Sequence, residues 1–211
     1  SPTTVAQQAW DLHTHSRGRF VLGLGSQVKV HNERRFGVPW SPPAPRLRDY
    51  VRALRAIWRC WQTGEELRYE GEHYRLTLMT PDFSPEPTGL PMVPVTIAVV
   101  GPAMFPVAGE VSDGVRLHPI CSRRYLEEVC MPRLVEGMRR SGRKREHFNV
   151  HGGGFVATGP DAASVAKAMD WVRFRIAFYG STRTYMPILE LHGLQDLGMK
   201  LHDLSVQGRW K

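Results

Sequence analysis

The stretch Val95–Ala103, VTIAVVGPA, decides the fold. Six nearly continuous apolar residues, half of them valine, read as a strand buried on both faces, which is the mark of a parallel sheet. Gly101 and Pro102 end it, and Ala103 to Val111 has the composition of a short helix. Working outward, Gly114 to Leu117 is the next short strand, and Phe148 to Ala157, with Gly152, Gly153 and Gly154 inside it, is a further one. Upstream, Phe20 to Leu24 is a short buried strand interrupted by Gly23 and closed by Gly25 and Ser26.

The segments between these strands carry helical periodicity. Ser1 followed by Pro2 suits a helix start, and Val5, Ala6, Ala9 and Leu12 recur at helical spacing up to a turn at Arg17 and Gly18. Arg46 to Trp61 places Leu47, Tyr50, Val51, Leu54, Ile57, Trp58 and Trp61 on one stripe, which packs on a sheet. Ser122 to Ser141 is helical, with Pro132 bending it or dividing it in two. Asp161 to Phe178 opens on a good cap, and the remainder to Lys211 is mostly helical. Residues 64–94 form an excursion: Glu70 to Leu76 has hairpin character, and a proline-rich connection follows from Pro81 to Pro94. Strands alternating with helices over one domain, 1–211, predict an α/β fold with a parallel sheet; a doubly wound sheet and a (β/α) barrel both satisfy the pattern.

Composition narrows the function. A chain of 211 residues with 42% hydrophobic and 23% charged residues can bury a real core. No apolar run approaches the ~18 residues of a membrane helix, and SPTTVAQQAW lacks the basic start and apolar middle of a signal peptide. Cys60, Cys121 and Cys130 are odd in number and lack metal-ligand spacing, so a structural role, no metal site and a reducing, cytoplasmic location are expected. The net charge of +8 favours phosphates and acidic ligands. Its arginines are scattered rather than interleaved with aromatics, which argues against nucleic acid as a partner.

Two glycine-marked strand ends carry the chemistry. Gly23-Leu24-Gly25-Ser26 and Val99-Val100-Gly101-Pro102-Ala103 let backbone amides approach a ligand, and a helix starting after Pro102 adds unpaired N–H groups suited to phosphate. Taken alone, each reads as a tight turn. The first pair lacks the spacing of a dinucleotide fingerprint. His31 and His118 are the titratable candidates for acid–base work or for lining a pocket, and Arg34 and Arg35 could meet an acidic ligand tail.

Together these segments resemble the bacterial luciferase-like family, over nearly the whole chain. SRGRFVLGLGSQ is similar to that family's fourth strand, VTIAVVGPAM with AGEVSDGV to its fifth strand, phosphate loop, helix and sixth strand, and LRDYVRALRAIW with GEHYRL to the helix and excursion between them. GLGSQVKVHNERRFGVPW, Gly23–Trp40, is most like the branch that uses the deazaflavin coenzyme F420. The resemblance implies a TIM-type barrel binding its cofactor at the carboxyl ends of the strands. It implies that Gly23 and Gly25 lie against the cofactor, that Ser26 to Trp40 walls a substrate pocket, that Gly101, Pro102 and Ala103 form the phosphate turn, and that Val99 and Val100 bring backbone to the ring.

The implied activity is hydride transfer between coenzyme F420 and a small organic substrate. The alternatives are an FMN-dependent monooxygenase and a degenerate, non-catalytic flavin-binding member. The family's sugar-phosphate oxidising relative has a glutamate after its Gly-x-Gly and an asparagine three residues later, where this chain has Ser26 and Lys29. The resemblance further implies that three strands precede Ser1 and one follows Lys211, so the chain is expected to be part of a longer polypeptide or to pair as a homo-oligomer. The resulting incomplete set of about four strands would expose unpaired edges and an apolar inner face.

Overall fold

A computed structural model of the chain describes residues 1–210; the end of the last helical stretch expected in the sequence, Lys211, lies outside them. Helix α1, Pro2–His15, starts as its capping residue dictates, the Ser1 hydroxyl accepting the N–H of Thr4. Arg17 and Gly18 turn the chain with positive φ, and β1, Leu22–Leu24, follows. The polar stretch after β1 folds into a seven-residue helix α2, Lys29–Arg35, with no buried residue. Helix α3, Pro43–Thr63, buries the predicted stripe, and Gly64 closes it in the left-handed conformation. The excursion contains a short antiparallel hairpin, β2, Tyr69–Glu70, and β3, Arg75–Leu76.

The chain then returns to the main sheet with β4, Val95–Val99, followed by α4, Met104–Val111, and β5, Gly114–Leu117. Pro132 does divide the next helix: Arg123–Tyr125 (α5) runs through a π-helical stretch, Leu126–Cys130, into α6, Met131–Arg140. Strand β6 is only Asn149–His151, shorter than the expected Phe148–Ala157, because three consecutive glycines leave nothing to hold an extended chain against the sheet. Helices α7, Ala162–Gly180, α8, Met186–Leu191, and α9, Gln195–Val206, complete the described residues.

The main sheet has the order β1-β4-β5-β6 and is parallel throughout. It is open, with β1 and β6 at its edges, so the described residues form four strands of a barrel-like layer rather than a closed barrel. Helices cover one face: Val95, Ile97 and Val99 of β4 and Val115 and Leu117 of β5 are buried in the core with Trp58, Phe105 and Val107. The opposite face is uncovered. VTIAVV is therefore buried on one side only, with Thr96 half-buried and Ala98 exposed. Read by register, that face carries Gly23, Thr96, Gly114 and Asn149 in one row and Ala98, Arg116 and His151 in the next. It is small and polar, not apolar as expected. The large exposed apolar side chains include Trp171, Phe174 and Phe178 of α7 and Leu197 and Met199 of α9.

Two contacts set the layer. Helices α4 and α6 touch backbone to backbone through Gly109 and Gly137: a Cβ on Gly137 would stand 2.0 Å from the Pro106 carbonyl oxygen, and one on Gly109 2.2 Å from that of Leu134. The second is the carboxylate of Asp113, at the start of β5. Its Oδ2 accepts from the Val95 N–H and from Arg55 Nη2, both at 2.8 Å, and its Oδ1 from Arg143 Nη1 at 3.0 Å. The Asp113 backbone continues the tie, its N–H donating to Val95 and its carbonyl accepting from Asn149. Burial opposes ionisation of this carboxyl, yet Arg55, the Val95 N–H and Arg143 together hold it below the usual aspartate value.

A depressed carboxyl stabilises the fold above the unfolded-state value, about 3.9, and that contribution is lost as pH falls through the lower folded value. Asp113→Asn is expected to cost about 2 kcal/mol at neutral pH and to flatten the acid limb of stability, read by urea denaturation from pH 3 to pH 7. An unchanged midpoint across that range would remove Asp113 from this role. Gly137→Ala is expected to destabilise by about 2 kcal/mol through overpacking of α4 on α6, measured as a lower Tm.

Candidate active site

The carboxyl ends of β1, β4, β5 and β6 point to one rim, and each ends in a short irregular segment. After β4 the turn Gly101–Ala103 leads into α4. Met104 donates to the Gly101 carbonyl at 3.1 Å, while the Ala103 N–H has no acceptor among the described residues. Pro102 has no N–H to offer, and a Cβ on Gly101 would meet nothing within 4 Å, so the space over the turn is open. Val99 is buried among core side chains, and Val100, half-buried, begins the exit from the sheet. The turn is thus open, at the positive end of a helix dipole that favours an anion.

After β1, Gly23 and Gly25 are exposed, and a Cβ on Gly25 would rest 3.6 Å from that of Ala98. Gly25 and Ser26 line a cleft of about 320 Å³ with Asn32, Trp40, Arg46 and Tyr74. Asn32 shapes its wall by donating to the Ser26 carbonyl at 3.0 Å. His31 sits beside Asn32 on α2 but is exposed and does not line the cleft. The cleft lies between β1, α2 and α3, and includes neither Gly101–Ala103 nor His118. Arg34 and Arg35 are exposed at the end of α2, with the Arg35 guanidinium over Phe36.

His118 follows β5 and is half-buried in aromatic surroundings. Its ring centroid lies 4.2 Å from that of Tyr179 and 4.8 Å from that of Tyr185. Its Nδ1 accepts the Ile120 N–H at 3.3 Å, which leaves the proton of the neutral ring on Nε2. Burial, and then the nearby Arg175 guanidinium, hold its pKa below the ordinary 6.5. Arg175 is itself fixed by a 2.7 Å hydrogen bond to the Tyr179 hydroxyl and by stacking over Tyr179, Trp171 and Phe178. His118 at neutral pH is an uncharged hydrogen-bond donor.

The structure places Gly25, Ser26 and the Gly101–Ala103 turn beyond the carboxyl ends of neighbouring strands, leaves Gly23 within β1 level with Thr96, and sets His31 and His118 after different strands. Sequence reasoning missed the Arg175–Tyr179 pair. The pair rests on α7 folding back toward β5, which no local pattern reveals.

A family model described as luciferase-like monooxygenase matches residues 1–211. The chain belongs to the luciferase-like family. An uncharacterized protein of Mycobacterium tuberculosis is 51% identical over 211 residues, all of this chain and 62% of that protein. The 5,10-methylenetetrahydromethanopterin reductase of Archaeoglobus fulgidus is 29% identical over 217 residues, 100% of this chain and 60% of the reductase. The solved coenzyme F420-dependent tetrahydromethanopterin reductase of Methanopyrus kandleri superposes with a TM-score of 0.72 at 21% identity, covering 99% of this chain and 61% of that one, and so shares its fold. The chain spans about three fifths of the length of these relatives. No helix among the described residues is long and apolar enough to cross a membrane.

The histidine makes a direct test. His118 should titrate below 6.5 when its ring protons are followed by NMR, and Arg175→Gln should move the midpoint upward by removing a like charge. A midpoint that ignores the substitution would mean Arg175 does not act on this ring.

Proposed function

We propose that this chain binds the deazaflavin coenzyme F420 and belongs to an oxidoreductase that passes hydride between it and a small organic substrate. The observation that carries the reading is the Gly101–Ala103 turn, open and with an unpaired amide at the head of α4, beside Thr96 and Ala98 of the uncovered sheet face. A phosphate seats on the turn. A flat ring lies beside Gly25 and Ala98, toward the carboxyl ends of β1 and β4. The names of the relatives support the choice of cofactor: the Methanopyrus kandleri reductase is F420-dependent, and so is a glucose-6-phosphate dehydrogenase of Nakamurella multipartita, 28% identical over 149 residues, 71% of this chain and 42% of that protein.

When bound, the deazaflavin supplies the hydride donor or acceptor; the protein positions it and holds protons at named atoms. His118, neutral with its proton on Nε2, donates a hydrogen bond to a substrate oxygen and steadies charge that develops there. His31, exposed on α2, is the weaker candidate. Ser26 and Lys29 stand where the sugar-phosphate oxidising relative has a glutamate and an asparagine, so a different substrate is proposed. Ser26 to Trp40 provides its outer wall.

Fluorescence titration of the purified chain with F420 and with FMN, each oxidised and reduced, tests the proposal. F420 is expected to bind more tightly than FMN, and Gly101→Val to weaken it at least tenfold with an unchanged melting temperature, since the added methyls project into open space. A folded Gly101→Val variant with parental affinity, or a clear preference for FMN, would contradict it.

A further inference from the structure

We infer that Cys121 and Cys130 form a peroxide-reactive thiol pair that closes into a reversible disulfide and, in closing, moves the turn that carries His118. The two thiols meet where the chain leaves β5. Cys121 ends that turn and is half-buried, and Cys130 ends the π-helical stretch after α5 with no exposed surface. Cys130 is buried in the core with Tyr125 and Leu134, and Cys121 packs against the same core. Their side chains are in contact, the Cys130 S–H donating to the Cys121 sulfur. This packing lies on the helix-covered side of the sheet, behind a strand flanked by both β4 and β6.

The pair is asymmetric in the way a two-step oxidation needs. The donated hydrogen bond holds the Cys121 thiol below its ordinary value, against the effect of burial, so Cys121 is the sulfur that gives up its proton. The same bond, and then burial, pushes Cys130 up and keeps it a thiol. Glu127 and Glu128 are held in exposed pairs by Arg123 and Arg124, and the charged group close to Cys130 is Arg133. Hydrogen peroxide is small enough to reach the half-buried sulfur. The Cys121 thiolate attacks one peroxide oxygen, the O–O bond breaks, and the departing hydroxide takes up the proton Cys121 released, leaving a sulfenic acid and one water. The Cys130 sulfur then attacks the Cys121 sulfur, the S–O bond breaks, and the Cys130 proton leaves with the hydroxide as a second water. Two thiols are oxidised to one disulfide and one peroxide is reduced to two waters; a small thiol reverses the closure by exchange.

The turn transmits the change. The Cys121 N–H donates to the His118 carbonyl at 2.8 Å, and the Ile120 N–H to His118 Nδ1 at 3.3 Å. The next residue, Ser122, caps α5 by accepting the Tyr125 N–H at 3.1 Å and bonds His192 Nε2 at 2.7 Å. Shortening a thiol contact to a covalent S–S bond of about 2 Å pulls on a turn that is fastened to the His118 carbonyl and ring. The thiol chemistry stands apart from the proposed function; its consequence for activity rests on that reading of His118.

The purified chain is reduced, freed of reductant and treated with hydrogen peroxide. Intact mass and peptide mapping are expected to show the loss of two hydrogens and a Cys121–Cys130 link, both reversed by dithiothreitol, and the His118 ring protons followed by NMR should shift between the two forms. Cys121→Ser should react at least tenfold more slowly, Cys130→Ala should stop at a sulfenic acid on Cys121 that dimedone traps, and Cys60→Ser should behave as the parent. Thiols that stay free under excess peroxide, a link through Cys60, or a Cys121→Ser variant that reacts at the parental rate overturns the pair. Oxidation that leaves the His118 ring unmoved overturns its action on the turn. Failure of F420 to bind while the disulfide forms would count against the cofactor reading alone.

Discussion

The register of the parallel sheet depends on one carboxylate. Asp113 receives the Val95 N–H on its side chain, returns its own N–H to the Val95 carbonyl, and accepts Asn149 on its carbonyl, so three strands begin in step at one residue. Arg55 reaches it from α3 and Arg143 from beyond α6, each guanidinium also holding a nearby carbonyl, Val111 or Ser112. Such a charge is tolerated in a half-buried place because it is surrounded by donors, and losing one partner would strand the others. Since β4, β5 and β6 are fixed at their amino ends, the positions of Gly101, His118 and His151 at the carboxyl ends follow from strand length alone.

The sheet divides its labour by face. Branched side chains, Val95, Ile97, Val99 and Val115, go to the helices and supply the packing, with Trp58 spanning from α3 to donate its indole N–H to the Ala6 carbonyl. Gly23, Thr96, Ala98 and Gly114 go to the other face, with Asn149, Arg116 and His151. Close approach of α4 to α6 through Gly109 and Gly137 draws these helices onto the sheet and holds the start of α4 beneath the Gly101 turn. At the rim stand the turn's free amide and the uncharged His118.

Much of this was legible in the sequence. VTIAVV marked the central strand, Ser1-Pro2 and Asp161 marked helix starts, and the stripe from Leu47 to Trp61 marked α3. What could not be read followed from tertiary context. The small residues Thr96 and Ala98 look merely apolar-compatible in a run of valines, and only the strand's alternation against a one-sided helix layer shows them to be the open face. The helix at Lys29–Arg35 has no buried residue and therefore no amphipathic signature. The glycines after His151 end β6 earlier than the apolar pattern suggests. For the candidate site, the glycine-marked strand ends were visible, while the reading of Ser26–Trp40 as a wall came from the family resemblance. The setting of His118 was hidden because Tyr179 and Tyr185 lie some sixty residues away along the chain.

The most direct measurement is a crystal structure of the chain with oxidised F420 bound. The account predicts its phosphate on the Gly101–Ala103 turn and its ring beside Gly25 and Ala98. A cofactor seated instead in the cleft beside Trp40 and Tyr74, with the turn bare, would contradict it.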